Sequence, residues 1–160
     1  MFGFQQLIRG ETAWPAMSAR PISLRDMAGT EGLPPLKEIL PISFQEDAAG
    51  NVWVGFSNNG GLARYTPDRF MVFNTDQGLP PGTINDLYLD HTGRLWVATT
   101  RGGVARVDDP TAAVPKFIHY STSHGLSGDY TSAITEDVQG RMACAKPLNN
   151  VASEATLPQN

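Results

Sequence analysis

The sequence is poor in several things, and each shortage excludes something. It has one cysteine, Cys144, so no internal disulfide can form. No run of about 18 apolar residues occurs, so these residues encode no membrane-crossing helix. Basic residues are few: 12 Lys and Arg stand against 16 Asp and Glu, for a net charge of −4 and a pI near 5.2. That balance removes the electrostatic ground for expecting a nucleic-acid partner. The start, MFGFQQLIRGETAW, lacks the charged opening and continuous apolar stretch of a secretory signal, so cellular location is not written there. With 41% hydrophobic and 18% charged residues, the composition is that of a globular chain of one-domain length. What is abundant is turn chemistry. Gly (16) and Pro (12) exceed their usual shares, as a turn-rich all-β chain would require.

The chain repeats itself. EDAAGNVWVGF from Glu46 aligns with LDHTGRLWVAT from Leu89, placing Asp47 on Asp90, Gly50 on Gly93 and Trp53 on Trp96 at an offset of 43. GGLAR (Gly60 to Arg64) meets GGVAR (Gly102 to Arg106) at an offset of 42. FMVFNTDQGL from Phe70 meets FIHYSTSHGL from Phe117 at 47, and the same offset carries Asp90 and Gly93 onto Asp137 and Gly140. These agreements keep one order and differ only by short insertions.

Each unit reads as four strands, exemplified by 41–47, 51–56, 62–65 and 70–74. The breaks fall at D-x-x-G, at Asn58-Asn59-Gly60-Gly61 and at Thr66-Pro67-Asp68. All are good turn sequences, since Asp accepts backbone hydrogen bonds and Gly takes the left-handed position. NVWVGF is apolar on both sides of the pleat, which requires cover on both faces. A blade between two neighbours gives that cover, and a unit of 42 to 47 residues suits a propeller blade. The expected class is all-β: a partial β-propeller of about two four-stranded blades plus the start of a third.

The unit resembles the two-component regulator propeller repeat. The residues that carry the likeness are Gly78-Leu79-Pro80, Ile84, Asp90, Gly93, Leu95, Trp96, Val97 and Gly102-Gly103-Val104. The preceding copy has Gly32-Leu33-Pro34, Asp47, Gly50, Val52, Trp53, Val54, Gly55 and Gly60-Gly61-Leu62; a third begins at Gly125-Leu126 and reaches Glu136 to Arg141. The resemblance implies a seven-bladed extracytoplasmic sensor propeller, often paired, followed by a membrane span and a histidine kinase core. It also implies a small-molecule or carbohydrate ligand, and a periplasmic or extracytoplasmic location.

The sequence departs from that pattern at both ends. Ala143 stands near the place of the third Trp, and 142–160 is polar, Pro-containing and without strand alternation. The expected division is an unassigned segment 1–30, a propeller fragment 31–141 and a non-repeat, disordered tail 142–160. Within the fragment, blades span 31–75 and 76–122, and a partial blade spans 123–141. No kinase core, phosphoacceptor box or nucleotide-binding glycine loop is found.

Candidate chemistry is thin. Asp47, Asp90 and Asp137 recur once per blade with Gly50, Gly93 and Gly140, whereas a catalytic acid is needed once per site. They read as turn stabilisers. Trp53 and Trp96, mid-strand and followed by Gly55 or Ala98, read as packing between blades rather than sugar platforms. Adjacent acids such as Asp108-Asp109 and Glu46-Asp47 diverge on a strand, unlike the convergent pair of a glycosidase. His91, His119 and His124 show no metal-ligand spacing, and Cys144 has no evident His partner. No metal or cofactor is expected. Asp76, Asn85 and Arg101 fall in or beside loops that crowd one end of a propeller, and are the candidate ligand contacts. The reading is a non-catalytic ligand-sensing propeller fragment of a two-component sensor. The alternatives are a fragment of a propeller lyase or glycosidase, and a structural interaction module that self-associates through exposed blade edges.

Overall fold

β-Branched and aromatic residues, cut by Gly- and Asn-bearing turns, form eleven strands in the computed structural model, which describes residues 38–67 and 69–145 and the backbone of Ala155–Thr156. The first sheet is a meander of β1 (Pro41–Glu46), β2 (Val52–Phe56), β3 (Leu62–Thr66) and β4 (Arg69–Phe73), in the order β1-β2-β3-β4. The second repeats it with β5 (Ile84–Leu89), β6 (Leu95–Thr99), β7 (Val104–Val107) and β8 (Ile118–Tyr120). The third has β9 (Ala133–Glu136), β10 (Met142–Ala145) and β11 (Ala155–Thr156), in the order β9-β10-β11. All pairings are antiparallel. The fold is all-β, and the sheets stack as successive propeller blades, β1 against β5 and β5 against β9.

The core lies between the sheets. Trp53, Leu62 and Phe73 of the first meet Ile84, Leu87, Leu95, Val97, Ala105 and Val107 of the second. Trp96, Ala98, Val104 and Tyr120 of the second then meet Leu126, Ile134, Met142 and Cys144 of the third blade. Every residue of β2 and of β6 is buried, as their two-sided apolar pattern requires. Both indoles are fully buried, and burying about 200 Å² each at about 25 cal/mol per Å² contributes on the order of 5 kcal/mol apiece.

Register makes the blades superimposable. Trp53 stands opposite Arg64, Trp96 opposite Arg106, and Ala143 opposite Thr156. The expectation that strand structure stops near Arg141 therefore fails. Met142–Ala145 is the second strand of the third blade, and Ala155–Thr156 is its third. The apolar run Met142-Ala143-Cys144-Ala145 suffices because Met142 and Cys144 face the core, and the missing Trp is what hid it. Segments 146–154 and 157–160 of the expected tail, and the whole 1–30 segment with Gly32-Leu33-Pro34, lie outside the described residues.

Candidate functional site

A meander has two ends, and here they differ in chemistry. The β1–β2, β5–β6 and β9–β10 turns leave one end, and each is built on its Asp. Oδ1 of Asp47 accepts from the amides of Ala49 and Asn51, Oδ1 of Asp90 from Thr92 and Arg94, and Oδ1 of Asp137 from Gln139 and Arg141. Gly50, Gly93 and Gly140 close the turns at φ of 79°, 84° and 79°, in the left-handed region that glycine takes without strain. The second carboxylate oxygen reaches inward: the Trp53 indole N–H donates to Asp47 Oδ2 at 3.0 Å and that of Trp96 to Asp90 Oδ2 at 2.7 Å. Burial alone would push the Asp90 carboxyl up. Hydrogen bonds from Trp96, Thr92 and Arg94 outweigh it and hold the group down at about 2. These carboxylates anchor their turns, with backbone and side-chain donors on their oxygens.

The other end gathers the β2–β3 and β6–β7 turns with the β4–β5 and β8–β9 connections. Between the first two blades it holds a cleft of about 80 Å³ lined in part by Asn59, Asn74, Thr75, Pro80, Pro81 and Gly82. Its shape follows from the local sequence. Asn58 and Asn59 take positive φ (51° and 59°), which asparagine tolerates in a tight hairpin, and the Asn59 side chain stands at the rim. Asn74 caps a short 3-10 turn, Thr75–Gln77, with its side-chain oxygen accepting from the Asp76 amide at 2.8 Å. The Pro80-Pro81 wall abuts Gly102, where an added Cβ would lie 2.4 Å from the Pro80 Cβ.

Two of the three candidate contacts lie at this end, although neither lines the cleft itself. Arg101 donates to Asn59 Oδ1 at 2.6 Å across the blade boundary, which sets its guanidinium at the cleft rim. Asp76 is exposed in the 3-10 turn next to Thr75. Asn85 is engaged elsewhere: its side-chain amide donates to the Thr131 carbonyl at 2.8 Å, a tie between the second and third blades. Asn59 and Asn74 were not singled out by sequence reasoning. Their signal was the Asn-Asn-Gly-Gly run and an Asn ahead of a Thr-Asp-Gln turn, which read as turn chemistry alone. No titratable side chain lines the cleft, and its volume is below the roughly 300 Å³ of an ordinary small-molecule pocket. The arrangement offers two side-chain amides and the Thr75 hydroxyl, with the Arg101 guanidinium tied to Asn59 beside them, suited to hydrogen-bonding a polar group.

The remaining reactive side chains have structural partners. His91 pairs with Glu136 across the second and third blades, His119 Nε2 meets the Gly102 carbonyl oxygen, and His124 Nδ1 accepts from the Ser121 amide. Cys144 is buried, and burial pushes its thiol up to about 11. Among the described residues no group of His, Cys, Asp and Glu is placed to hold a metal, and no helix is long and apolar enough to cross a membrane.

Comparison with known proteins agrees with this geometry. Residues 78–101, from the cleft through β6, match the family model described as two component regulator propeller. The extracellular domain assigned to the hybrid two component system BT3049 of B. thetaiotaomicron is similar, with a TM-score of 0.58 and 28% identity over 66% of this chain. A structure of the extracellular domain assigned to BT4673 of the same organism shares the fold, with a TM-score of 0.54 and 23% identity over 70% of this chain. A second structure assigned to BT4673 gives 0.55 and 24% over 77%. The chain spans only 14%, 17% and 16% of those three structures. No curated protein sequence matches it.

Proposed function

We propose that this chain, which carries the two-component regulator propeller repeat, forms blades of an extracytoplasmic, ligand-sensing propeller that acts without catalysis. The observation that carries the reading is the division of labour between the two ends. At one end the recurring acids are held by backbone and indole donors, as structural anchors are. At the other, inter-blade loops present a polar cleft rimmed by Asn59 and Arg101 with no acid or base in its lining. A sensor needs such a recognition surface on a rigid scaffold. Its small volume suits one polar substituent of a larger ligand lying across the loop face.

The test is a binding screen of the full chain against neutral and acidic oligosaccharides, by calorimetry, with reducing-end release followed in parallel. Saturable binding of at least one sugar, weakened about tenfold in Arg101→Ala, is the expected result, since a bond to a charged donor contributes about 1.5–3 kcal/mol. Turnover of any of these polysaccharides by the chain would remove the non-catalytic part of the reading.

A further inference from the structure

The two junctions between blades share one backbone frame, and a side chain fills only one of them. Gly61 and Gly103 hold φ of 78° and 73° and press on the carbonyl oxygens of Phe73 and Tyr120, where an added Cβ would lie 2.4 and 2.3 Å away. Asn74 and Ser121 open the turns that follow, with φ and ψ of −136° and −165° in one and −134° and −171° in the other. Gly78 and Gly125 close those turns at φ and ψ of 90° and 8°, and of 93° and 6°. The main-chain N–H groups of Gly61 and Thr75 therefore hold the same places as those of Gly103 and Thr122.

In the second junction one residue takes both donors. Asp129 accepts from the Gly103 N–H through its main-chain carbonyl at 2.7 Å, and from the Thr122 N–H through Oδ1 at 3.0 Å. It lies 47 residues beyond Gly82, the same offset that aligns the two turns. Gly82 brings no carboxylate to the first junction. Among the described residues neither the Gly61 nor the Thr75 N–H has an acceptor. Gly61, Thr75 and Gly82 all line the cleft of about 80 Å³, which thus stands where Asp129 stands in the other junction. Gly61 is buried, and a buried main-chain N–H without a partner is rare and costly.

We propose that this cleft takes the carboxylate of an acidic ligand, held as Asp129 is held. One carboxylate oxygen accepts from the Thr75 N–H. A second oxygen of the ligand accepts from the Gly61 N–H; it sits on a carbon separated from the carboxyl carbon by two others, as in a succinyl group. The Asp129 side chain and its own carbonyl have that spacing. An ionised acceptor strengthens each such bond over a neutral one, which selects an acid over an amide or alcohol of the same shape. The Arg101 guanidinium, held on Asn59 Oδ1, adds positive charge beside the cleft and offsets the Asp76 carboxylate of the 75–77 turn. The inference rests on the reading of this cleft as the recognition site, and names the polar substituent that the cleft selects.

The test follows the amide resonances of the isotope-labelled full chain at constant ionic strength, titrated with succinate, D-galacturonate, succinamide and D-galactose. At least one of the two acids should shift the Gly61 and Thr75 amides saturably, and the tighter acid tells whether the carboxylate is carried by an aliphatic or a sugar acid. Its neutral counterpart should bind at least about tenfold more weakly, the loss anticipated for one charge-assisted bond. Thr75→Pro deletes one donor in place, because proline suits the first position of such a turn and Asn74 before it is already extended. It should weaken the acid by about the same factor. If Thr75→Pro does not fold, the amide shifts of the unaltered chain still decide. Gly61 and Thr75 amides that both acids leave in place, neutral compounds that bind as tightly as the acids, or undiminished binding to a folded Thr75→Pro chain each overturns the proposal. Oligosaccharide binding with no preference for acids would remove this inference and leave the sensing reading standing; acid binding without any oligosaccharide binding would do the reverse.

Discussion

The second and third blades use the same Asp turn over different interiors. Asp90 is buried and receives the Trp96 indole together with Thr92 and Arg94. Asp137 makes the same two backbone bonds and the same arginine bond, Arg141 Nε to Oδ2 at 2.6 Å, but it has no indole donor, because Ala143 fills the place of the Trp. Donors to its carboxylate lower both carboxyls, with the Arg141 amide the chief cause for Asp137. The turn is therefore a local device, which any Asp-x-x-Gly makes from its own amides. The indole is what fastens that turn to the core of the blade.

Breaking that fastening is the largest effect to expect. Trp96→Ala converts the second blade to the third blade's pattern. It removes a fully buried indole that stacks on Tyr120 (centroids 5.9 Å) and supports the guanidinium of Arg106. Loss of such an aromatic costs about 3–5 kcal/mol, read as a lower urea midpoint. Val138→Ser, at a residue 97% exposed, is the matched control that should leave the midpoint in place.

Gly103→Ala comes next. Its φ is 73°, and an added Cβ would lie 2.3 Å from the Tyr120 carbonyl oxygen, a backbone atom that cannot swing away. Gly61 repeats the situation against Phe73 O at 2.4 Å. Strain and displacement together cost on the order of 1–3 kcal/mol, so thermal melting of either variant should fall well below that of the parent.

Asp90→Asn tests the anchor through pH. The folded carboxyl sits near 2, below its ordinary 3.8, so its stabilisation is complete above about pH 4 and is lost as pH falls toward 2. The Asn variant turns an N–H₂ toward the Trp96 and Arg94 donors, costing roughly 1–3 kcal/mol at neutral pH. Its stability profile should also be flatter between pH 4 and 2. Asp137→Asn should produce a smaller loss at neutral pH, and an equal loss would show that the indole adds nothing to the anchor.

The strength of these anchors explains what was legible in the sequence. Asp47, Gly50, Trp53 and their counterparts act through fixed short spacings, so the repeat, the strands of the first two blades and the structural role of the Asp all show in one dimension. Strand β10 was hidden because its burial depends on Met142 and Cys144 meeting Leu126 and Ile134, contacts that no local spacing encodes. The cleft was half legible. Loop position pointed to Asp76 and Arg101, which stand beside the cleft without lining it. The amide of Asn85 goes to Thr131, 46 residues on, which only the stacking of blades reveals. Arg64 and Arg106 aligned visibly in GGLAR and GGVAR. Their difference, one clamped on Pro110 and Ala112 and one with Nη1 unpaired, arises wholly between blades.

The smallest expected effect concerns the ties between inner strands, where the three blades differ outright. Asp86 of β5 accepts from the Ile134 amide of β9 at 2.9 Å. Its register partner is Ala98, as Gly55 is for Ser43 in the first blade and Ala145 for Ala133 in the third. Three dissimilar residues at one position argue that the fold does not depend on the carboxylate. Burial is the main influence on Asp86 and raises its carboxyl, with bonds from Ile134 and Leu87 offsetting only part. The sign is thus opposite to that of Asp90: the folded state holds the proton more tightly, so stability declines as pH rises from 3.8 through the raised folded value and then levels. Asp86→Asn removes the buried charge, and its one side-chain oxygen keeps the bond from Ile134 while the Leu87 amide loses its acceptor, two changes that offset each other. It should change stability by less than about 1 kcal/mol at pH 7 and abolish that decline, as chemical denaturation between pH 3.5 and 7 would reveal. A large loss at neutral pH would mean that the ionised group itself holds the blades together, and the second blade would then differ from its neighbours in kind.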